Sequence, residues 1–278
     1  MKVLLGLIGS PISHSASPAM HEAAGAACGL RVHYQLIDNP DPSHQALRPI
    51  LEGVRRLGFA GVNVTYPCKE AVVPLLDGLA PGIAEIAAVN TVVVTNGRLI
   101  GHNTDCTGFR AALLAEIDAA ALHAPIALIG CGGVGRAIAV ALIGLGTSQI
   151  RLYERDAARA RRLAADLGPL IHVCESVEAA MQGVCGVINA TPLGMLPDTR
   201  SPVPAKLLHA GLFVADAVYN PLITPLLAAA QAVGAQVLTG RELAIHQAAD
   251  AFRLFTGQVA DLRVMGDAFD RVIAARAP

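Results

Sequence analysis

The chain has no tryptophan, only 4% aromatic residues, and three lysines (Lys2, Lys69 and Lys206) against eighteen arginines. So few aromatics poorly supply a pocket that must sandwich a large heteroaromatic ring such as a pterin. Scarce lysine means that any lysine inside a polar motif calls for a reason. Charged residues make up 15% and the formal net charge is −1, without a Lys/Arg cluster that could neutralise a run of phosphates, so nucleic acid is not an expected partner. The six cysteines, at 28, 68, 106, 131, 174 and 185, form no CxxC pair and no His/Cys spacing suited to zinc. Neither disulfides nor a metal site are therefore expected. Mean hydropathy is high, +0.50. Yet no stretch reaches the about 18 uncharged apolar residues of a membrane-spanning helix, and the apolar run from Val3 to Gly9 is too short for a secretory leader. The expectation is a cytoplasmic protein that does not engage membrane. No internal repeat is evident.

What is present is material for buried cores. With 53% apolar residues, 278 residues suggest two domains at the prior of roughly 150 residues each. Short β-rich apolar runs alternate with amphipathic stretches, the pattern of parallel sheets flanked by helices, so the fold class is α/β. Strands are expected at Val3–Ile8, His33–Ile37 and Gly61–Val64. Helices are expected near Pro18–Ala27 and Pro42–Arg56, each opening with a proline. Asn96-Gly97, a dipeptide that tolerates positive φ, joins two strand-like runs, Thr91–Thr95 and Arg98–Gly101, into a hairpin. The chain closes with helices over Arg241–Phe255 and Leu262–Ala275.

The strand Ile126–Ile129 runs straight into Gly130-Cys131-Gly132-Gly133-Val134-Gly135, which opens a helix and precedes an acidic strand end by about 24 residues. In that setting the glycines of a GxGxxG motif let the backbone approach a pyrophosphate held at the helix N-terminus. Gly130, Gly132, Gly133, Val134 and Gly135 are the candidate contacts. At the acidic end, Glu154 and Asp156 can accept from ribose hydroxyls and repel a 2′-phosphate, which favours NAD over NADP. Arg155 and Arg159 pull the other way, because guanidinium groups there could accept that phosphate.

Four polar motifs fall at or beside the carboxyl ends of the first domain's strands: Ser13-His14-Ser15-Ala16-Ser17-Pro18, Asn63 to Lys69, Val89-Asn90-Thr91, and Asn103-Thr104-Asp105. Open α/β sheets bind ligands at such ends, and this lining suits a polyhydroxylated carboxylic acid. Ser15 and Ser17 could donate to its carboxylate, and Asn63, Thr65 and Asn90 could satisfy its hydroxyls. The competing readings are local: Ser17 as a helix cap, the asparagines as turn residues, and Asp105 as the cap of a helix beginning near Thr107. Lys69 and Asp105 are the one oppositely charged pair in these motifs, and oxidation of a secondary alcohol needs a group to take the hydroxyl proton. Lys69 is assigned that role with Asp105 orienting it; the competing partners for Lys69 are Glu70 and Glu52.

Taken together, these residues resemble the shikimate dehydrogenase family, in particular its quinate/shikimate dehydrogenase branch. The resemblance spans nearly the whole chain and also includes Ala88 to Thr91, Gly101 to Asp105, Asn189-Ala190-Thr191-Pro192 with Gly194-Met195, and Gln247 to Phe252. It implies a substrate domain over residues 1–104 completed by 241–278, and a Rossmann-type dinucleotide-binding domain over 105–240. It implies that Ser15 and Ser17 hold the substrate carboxylate and that Asn63, Thr65, Asn90 and Gln247 bind ring hydroxyls. Lys69 and Asp105 would be the catalytic pair, and Tyr219 would border the substrate. Thr191, Val218 and Gly240 join the expected cofactor contacts. NADP-using members would carry Asn-Arg-Thr where this chain has Glu154-Arg155-Asp156, so the departure resembles the NAD-using branch. The implied activity is interconversion of shikimate and 3-dehydroshikimate with NAD, NADP being the second option and quinate a second substrate. A dinucleotide-sensing regulator without chemistry is the alternative class, against which Lys69 and Asp105 stand. Oligomeric state is not legible, a homodimer being one option.

Overall fold

The computed structural model describes residues 2–275. Spatial clustering divides the chain into two units, Met1–Gly108 with Ile245–Pro278, and Phe109–Ala244. The sequence reading put these boundaries at 104/105 and 240/241; both divisions fall inside helices and not in linkers.

The first unit holds β1 (Lys2–Gly9), α1 (Ser17–Ala27), β2 (Arg31–Asp38), α2 (His44–Arg56), β3 (Phe59–Val64), β4 (Gly78–Leu79), α3 (Ile83–Ile86), β5 (Thr91–Thr95), β6 (Arg98–His102) and the start of α4 (Thr104–Glu116). Its sheet runs β2-β1-β3-β5-β6-β4. It is mixed: β1 pairs in parallel with β2 and β3, whereas β5 is antiparallel to both β3 and β6. The hairpin expected at Asn96-Gly97 is the antiparallel β5–β6 pair, both turn residues taking positive φ (51° and 74°). The two expected proline starts divide. Pro18 lies in the first turn of α1, but α2 begins after Ser43, whose hydroxyl accepts from the Ala46 N–H at 3.3 Å. An extended residue with a side-chain acceptor meets the needs of that helix end better than Pro42, which has no side-chain oxygen to offer. Leu47, Leu51 and Val54, spaced for one helix face, are the buried side of α2.

The second unit continues through α5 (Ala119–His123), β7 (Ile126–Ile129), α6 (Gly133–Gly144), β8 (Ile150–Tyr153), α7 (Ala157–Leu167), β9 (Ile171–Val173), α8 (Val177–Ala180), β10 (Gly186–Asn189), β11 (Phe213–Asp216), α9 (Pro225–Ala232) and β12 (Gln236–Leu238). Its sheet, β12-β11-β10-β7-β8-β9, is parallel throughout. From β7 the chain moves outward through β8 to β9, then returns to lay β10 on the other side, so the strand order reverses between β7 and β10. The loops after those two strands flank the point where doubly wound sheets bind ligands. Near the end of the chain α10 (Gly240–Thr256) and α11 (Leu262–Ala274) return to the first unit. There Ala251 and Phe255 of α10 join Val3, Leu5, Leu7 and Tyr34 in the core. A Cβ on Gly61 would lie 2.4 Å from the Phe255 ring, so glycine at that position lets α10 press on β3.

Candidate active site

In the first unit, Gly9 ends β1 with φ +152°, and a Cβ there would sit 2.4 Å from the Thr65 methyl and 2.7 Å from the Tyr66 carbonyl oxygen. The loop after β3 thereby lies against the end of β1 and carries Lys69 forward. Lys69 Nζ donates to Asp105 Oδ2 at 2.6 Å, with side-chain exposures of 15% and 9%. Glu52 is engaged by Arg55 and Arg56, so it is not the partner of Lys69.

Asn90 holds this pair. Its Nδ2 donates to Asp105 Oδ1 at 2.9 Å and to Thr104 Oγ1 at 3.1 Å, while its Oδ1 accepts from the Thr104 N–H at 2.7 Å and from Thr91 Oγ1 at 3.0 Å. Every polar atom of the buried amide is thus used, which fixes its orientation. Asn63 continues the network: its Nδ2 donates to Thr91 Oγ1 at 3.0 Å and to the Asn90 carbonyl at 3.2 Å. Its Oδ1 accepts from the Tyr34 hydroxyl at 2.8 Å. Tyr34 also meets Ser17, whose hydroxyl accepts from Ser15 Oγ at 3.1 Å. One hydrogen-bonded chain therefore runs Ser15, Ser17, Tyr34, Asn63, Thr91, Asn90, Asp105, Lys69.

This geometry removes two of the local alternatives. Asp105 is no cap, because α4 starts at Thr104 and the Asn103 side chain accepts from the Cys106 N–H at 3.1 Å instead. Nor does Ser17 cap α1: Ala16 holds that position without a side-chain bond, and the Ser17 N–H donates to Ser15 Oγ at 3.2 Å. Thr65 is half-buried at the start of the Lys69 loop. Gln247, on α10, has its backbone N 2.5 Å from where a Cβ on Gly108 would be, so a glycine permits α4 and α10 to cross at this point.

Sequence reasoning placed Thr91 and Thr104 in the polar motifs without giving either a role of its own, and it passed over Tyr34 and His21. Tyr34 is the one buried residue of β2 and its phenol is held protonated by burial. His21 stacks on it with ring centroids 4.9 Å apart. Burial lowers the imidazole pKa to about 3, and its Nδ1 finds no hydrogen-bond partner. A hydroxyl on an otherwise apolar strand position was the available signal for Tyr34; His21 gave none beyond its helical spacing.

In the second unit, β7 runs into Gly130 (φ +93°) and α6 opens at Gly133 with Gly132 as an N-cap that offers no side-chain acceptor. The glycines themselves thus form the first turn of α6. A Cβ on Gly135 would fall 2.3 Å from the Gly130 carbonyl oxygen, and one on Gly130 would meet the Thr191 methyl at 2.6 Å. At Gly132 the space is open, with Arg159 Nη2 the closest neighbour at 3.9 Å. Bare backbone amides beside open space at a helix start fit a pyrophosphate. Glu154 stands next to them: Oε2 accepts from the Cys131 N–H at 3.0 Å and Oε1 from the Asp156 N–H at 3.1 Å. Burial and the Glu154 carboxylate push the Cys131 thiol up to about 12, so it stays neutral. Asp156 does something different from Glu154. It caps α7, accepting from the Ala158 and Arg159 N–H groups, and those backbone bonds hold its carboxyl below the usual range. Of the two expected carboxylates, only Glu154 reaches the glycine loop. Arg155 is exposed, Thr191 and Tyr219 are half-buried, and a Cβ on Gly240 would lie 2.5 Å from the Val218 carbonyl oxygen.

Both units resemble known proteins. Residues 7–92 match the shikimate dehydrogenase substrate binding domain, and residues 125–218 match a model described as NADP oxidoreductase, coenzyme F420-dependent. A shikimate dehydrogenase (NADP(+)) of Streptomyces avermitilis is 43% identical, over 95% of this chain and 94% of its own. The chain belongs to the shikimate dehydrogenase family. A quinate/shikimate dehydrogenase (NAD(+)) of Corynebacterium efficiens is 42% identical, over 96% of this chain and 97% of its own. Among solved structures, the family's quinate dehydrogenase from Corynebacterium glutamicum in complex with NAD superposes with a TM-score of 0.90 at 38% identity, covering 97% of this chain and 99% of the other. The family relatives use NAD or NADP. The chain is thus a nicotinamide-dependent oxidoreductase with a Rossmann-type unit. No helix among the described residues is long and apolar enough to cross a membrane, and no cluster of three or more metal-ligating side chains occurs among them.

Proposed function

We propose that this protein is a shikimate dehydrogenase that prefers NAD, with quinate as a second substrate. The observation that carries the reading is the Lys69–Asp105 pair, 2.6 Å apart and fixed by Asn90 within a chain of hydroxyls and amides ending at Ser15. That sequence of groups matches a ring carrying hydroxyls at one end and a carboxylate at the other. Ser15 and Ser17 donate to the carboxylate, Asn63, Thr65 and Gln247 hold ring hydroxyls, and Asn90, its amide already fully engaged, keeps Asp105 and Thr104 in place. In the oxidising direction Lys69 takes the proton from the reacting hydroxyl, and it returns the proton in reduction. Asp105 keeps the ammonium aimed and offsets its charge. A bound nicotinamide supplies the two-electron acceptor. The residues that would hold the dinucleotide are the glycine loop, Glu154, Thr191, Val218 and Gly240, with Tyr219 bordering the substrate. Asp156 acts here by anchoring α7, and Arg155 and Arg159 are the groups through which NADP would be accommodated. The reading also keeps the protein in the cytoplasm, where its six cysteines, none of them in a disulfide, would stay reduced.

The test is a steady-state comparison of shikimate and quinate with NAD and NADP. The expected ranking places shikimate with NAD first. Absence of turnover in all four combinations would overturn the reading, and a kcat/KM favouring NADP would overturn the cofactor assignment.

A further inference from the structure

Within the second unit, at the ends of β10 and β11, lies a buried polar cluster that the proposed chemistry does not use. Asn189, Asp216 and Thr224 are 0%, 2% and 0% exposed, in a core otherwise built from Val187, Val214, Leu226 and Leu227. Asp216 Oδ1 accepts from Asn189 Nδ2 and from the Val218 N–H, both at 2.9 Å, and its Oδ2 accepts from Thr224 Oγ1 at 2.7 Å. Thr224 in turn caps α9 by accepting from the Leu227 N–H at 3.3 Å. Asn189 spends its remaining capacity on the loop that follows it: Oδ1 accepts from the Thr191 N–H at 2.9 Å and the Thr191 hydroxyl at 2.7 Å, and Nδ2 donates to the Leu193 carbonyl at 3.1 Å.

The three side chains therefore clasp two loops, 189–193 and 216–220, and the start of α9. Apolar residues of similar volume would stabilise such a core at least as well, since a carboxylate there is desolvated. What an apolar core could not do is fix the direction of Thr191 Oγ1 and of the Val218 peptide, which hydrogen bonds set and packing alone does not. Both loops also pack closely on glycines, the Thr191 methyl on Gly130 and the Val218 carbonyl on Gly240.

We propose that Asp216, through Asn189 and Thr224, is a positioning residue for the cofactor-binding loops, setting Thr191 and Val218 in register with the dinucleotide. This rests on the reading above that Thr191 and Val218 contact the cofactor.

The test uses Asp216→Asn, Thr224→Val, which removes the hydroxyl at nearly constant shape, and Thr224→Ser, which restores it. NAD affinity of the shikimate-free protein is measured by calorimetry, alongside KM for each substrate and the melting temperature. For Asp216→Asn and Thr224→Val the expected result is weaker NAD binding and a loss in kcat/KM for NAD on the order of tenfold to a hundredfold. KM for shikimate should hold, and Thr224→Ser should recover NAD affinity. Should Asp216→Asn not fold, the threonine pair carries the test. Lower melting temperatures with NAD affinity unchanged would overturn the proposal and leave the cluster a purely structural one. An unmodified protein that binds neither NAD nor NADP would instead overturn the underlying reading, and the proposal with it.

Discussion

Lys69 is one of three lysines, and its Nζ lies 2.6 Å from Oδ2 of Asp105, 36 positions away. Replacing it by alanine removes the proton acceptor while leaving Ser15, Ser17 and the glycine loop in place. Turnover should fall by about 10²- to 10⁴-fold, the usual worth of a general acid or base, with a smaller change in shikimate affinity. A Lys69→Ala enzyme turning over at the original rate would remove Lys69 from the mechanism. At the other end of the hydrogen-bonded chain, Ser15→Ala should weaken shikimate binding by roughly 1.5 to 3 kcal/mol, the range for a hydrogen bond to a charged group, and leave NAD affinity alone. Unchanged shikimate affinity in titration would return Ser15 to a loop-shaping role. The residue types at these positions were legible in the sequence because the proposed chemistry demands them. Tyr34 and His21 were not, since nothing in β2 or α1 taken alone tells that one phenol and one imidazole are buried against each other.

At the scale of elements, the proposed preference for NAD rests on the end of β8. Glu154 bonds the glycine loop directly, whereas Asp156 is committed to the start of α7. One unit charge facing a 2′-phosphate at about 4 Å and an effective dielectric near 20 costs on the order of 4 kcal/mol, before screening and relaxation reduce it. Even a third of that amounts to about a tenfold preference for NAD. Glu154→Asn should therefore shift the kcat/KM ratio toward NADP, because Arg155 and Arg159 remain. Kinetics with both cofactors checks this, and an unmoved ratio would assign the preference elsewhere. The strand–glycine–helix element was readable because its signals are local: a buried strand, glycines at fixed offsets, a helix. The capping role of Asp156 was not readable, for a reason that is also local. A carboxylate two residues beyond a strand end serves a helix cap as readily as a ribose, and only the position of α7 chooses between them.

For the whole molecule, each unit carries a buried group whose displaced pKa bears on stability under acidic conditions, His21 in the first and Asp216 in the second, and the two act oppositely. His21 in the first unit is pushed down to about 3 by burial. Its unfolded form takes up a proton below about 6.5 that the folded form refuses, so this unit loses stability as pH falls from about 6.5 toward 3. Asp216 in the second unit is pushed up to about 6, burial outweighing the hydrogen bonds from Thr224, Val218 and Asn189. Here the folded form holds a proton that the unfolded form releases, so the contribution is present below about 3.9 and is lost as pH rises through about 6. Each group changes stability by at most about 1.4 kcal/mol per pH unit within its window. Acidification from pH 6.5 to 4 should thus speed amide exchange in β1 to β3 relative to β10 and β11. His21→Leu should remove the loss in the first unit and Asp216→Asn the gain in the second. Equal responses of the two sheets in both variants would show these groups to be solvated.

By itself the sequence determined the α/β class, the hairpin at Asn96-Gly97, the glycine loop and the kinds of side chain at the substrate motifs. Each of these follows from short-range rules: alternation of apolar runs, positive φ at Asn and Gly, and spacing within one turn of helix. The tertiary structure alone decided that the first sheet is mixed, that Lys69 meets Asp105 and not Glu52, that Glu154 and not Asp156 faces the glycine loop, and that Asp216 is buried. Those outcomes depend on strand order and on which groups lose their water. Both are set by packing between segments far apart in the chain, and no local stretch of sequence contains that information.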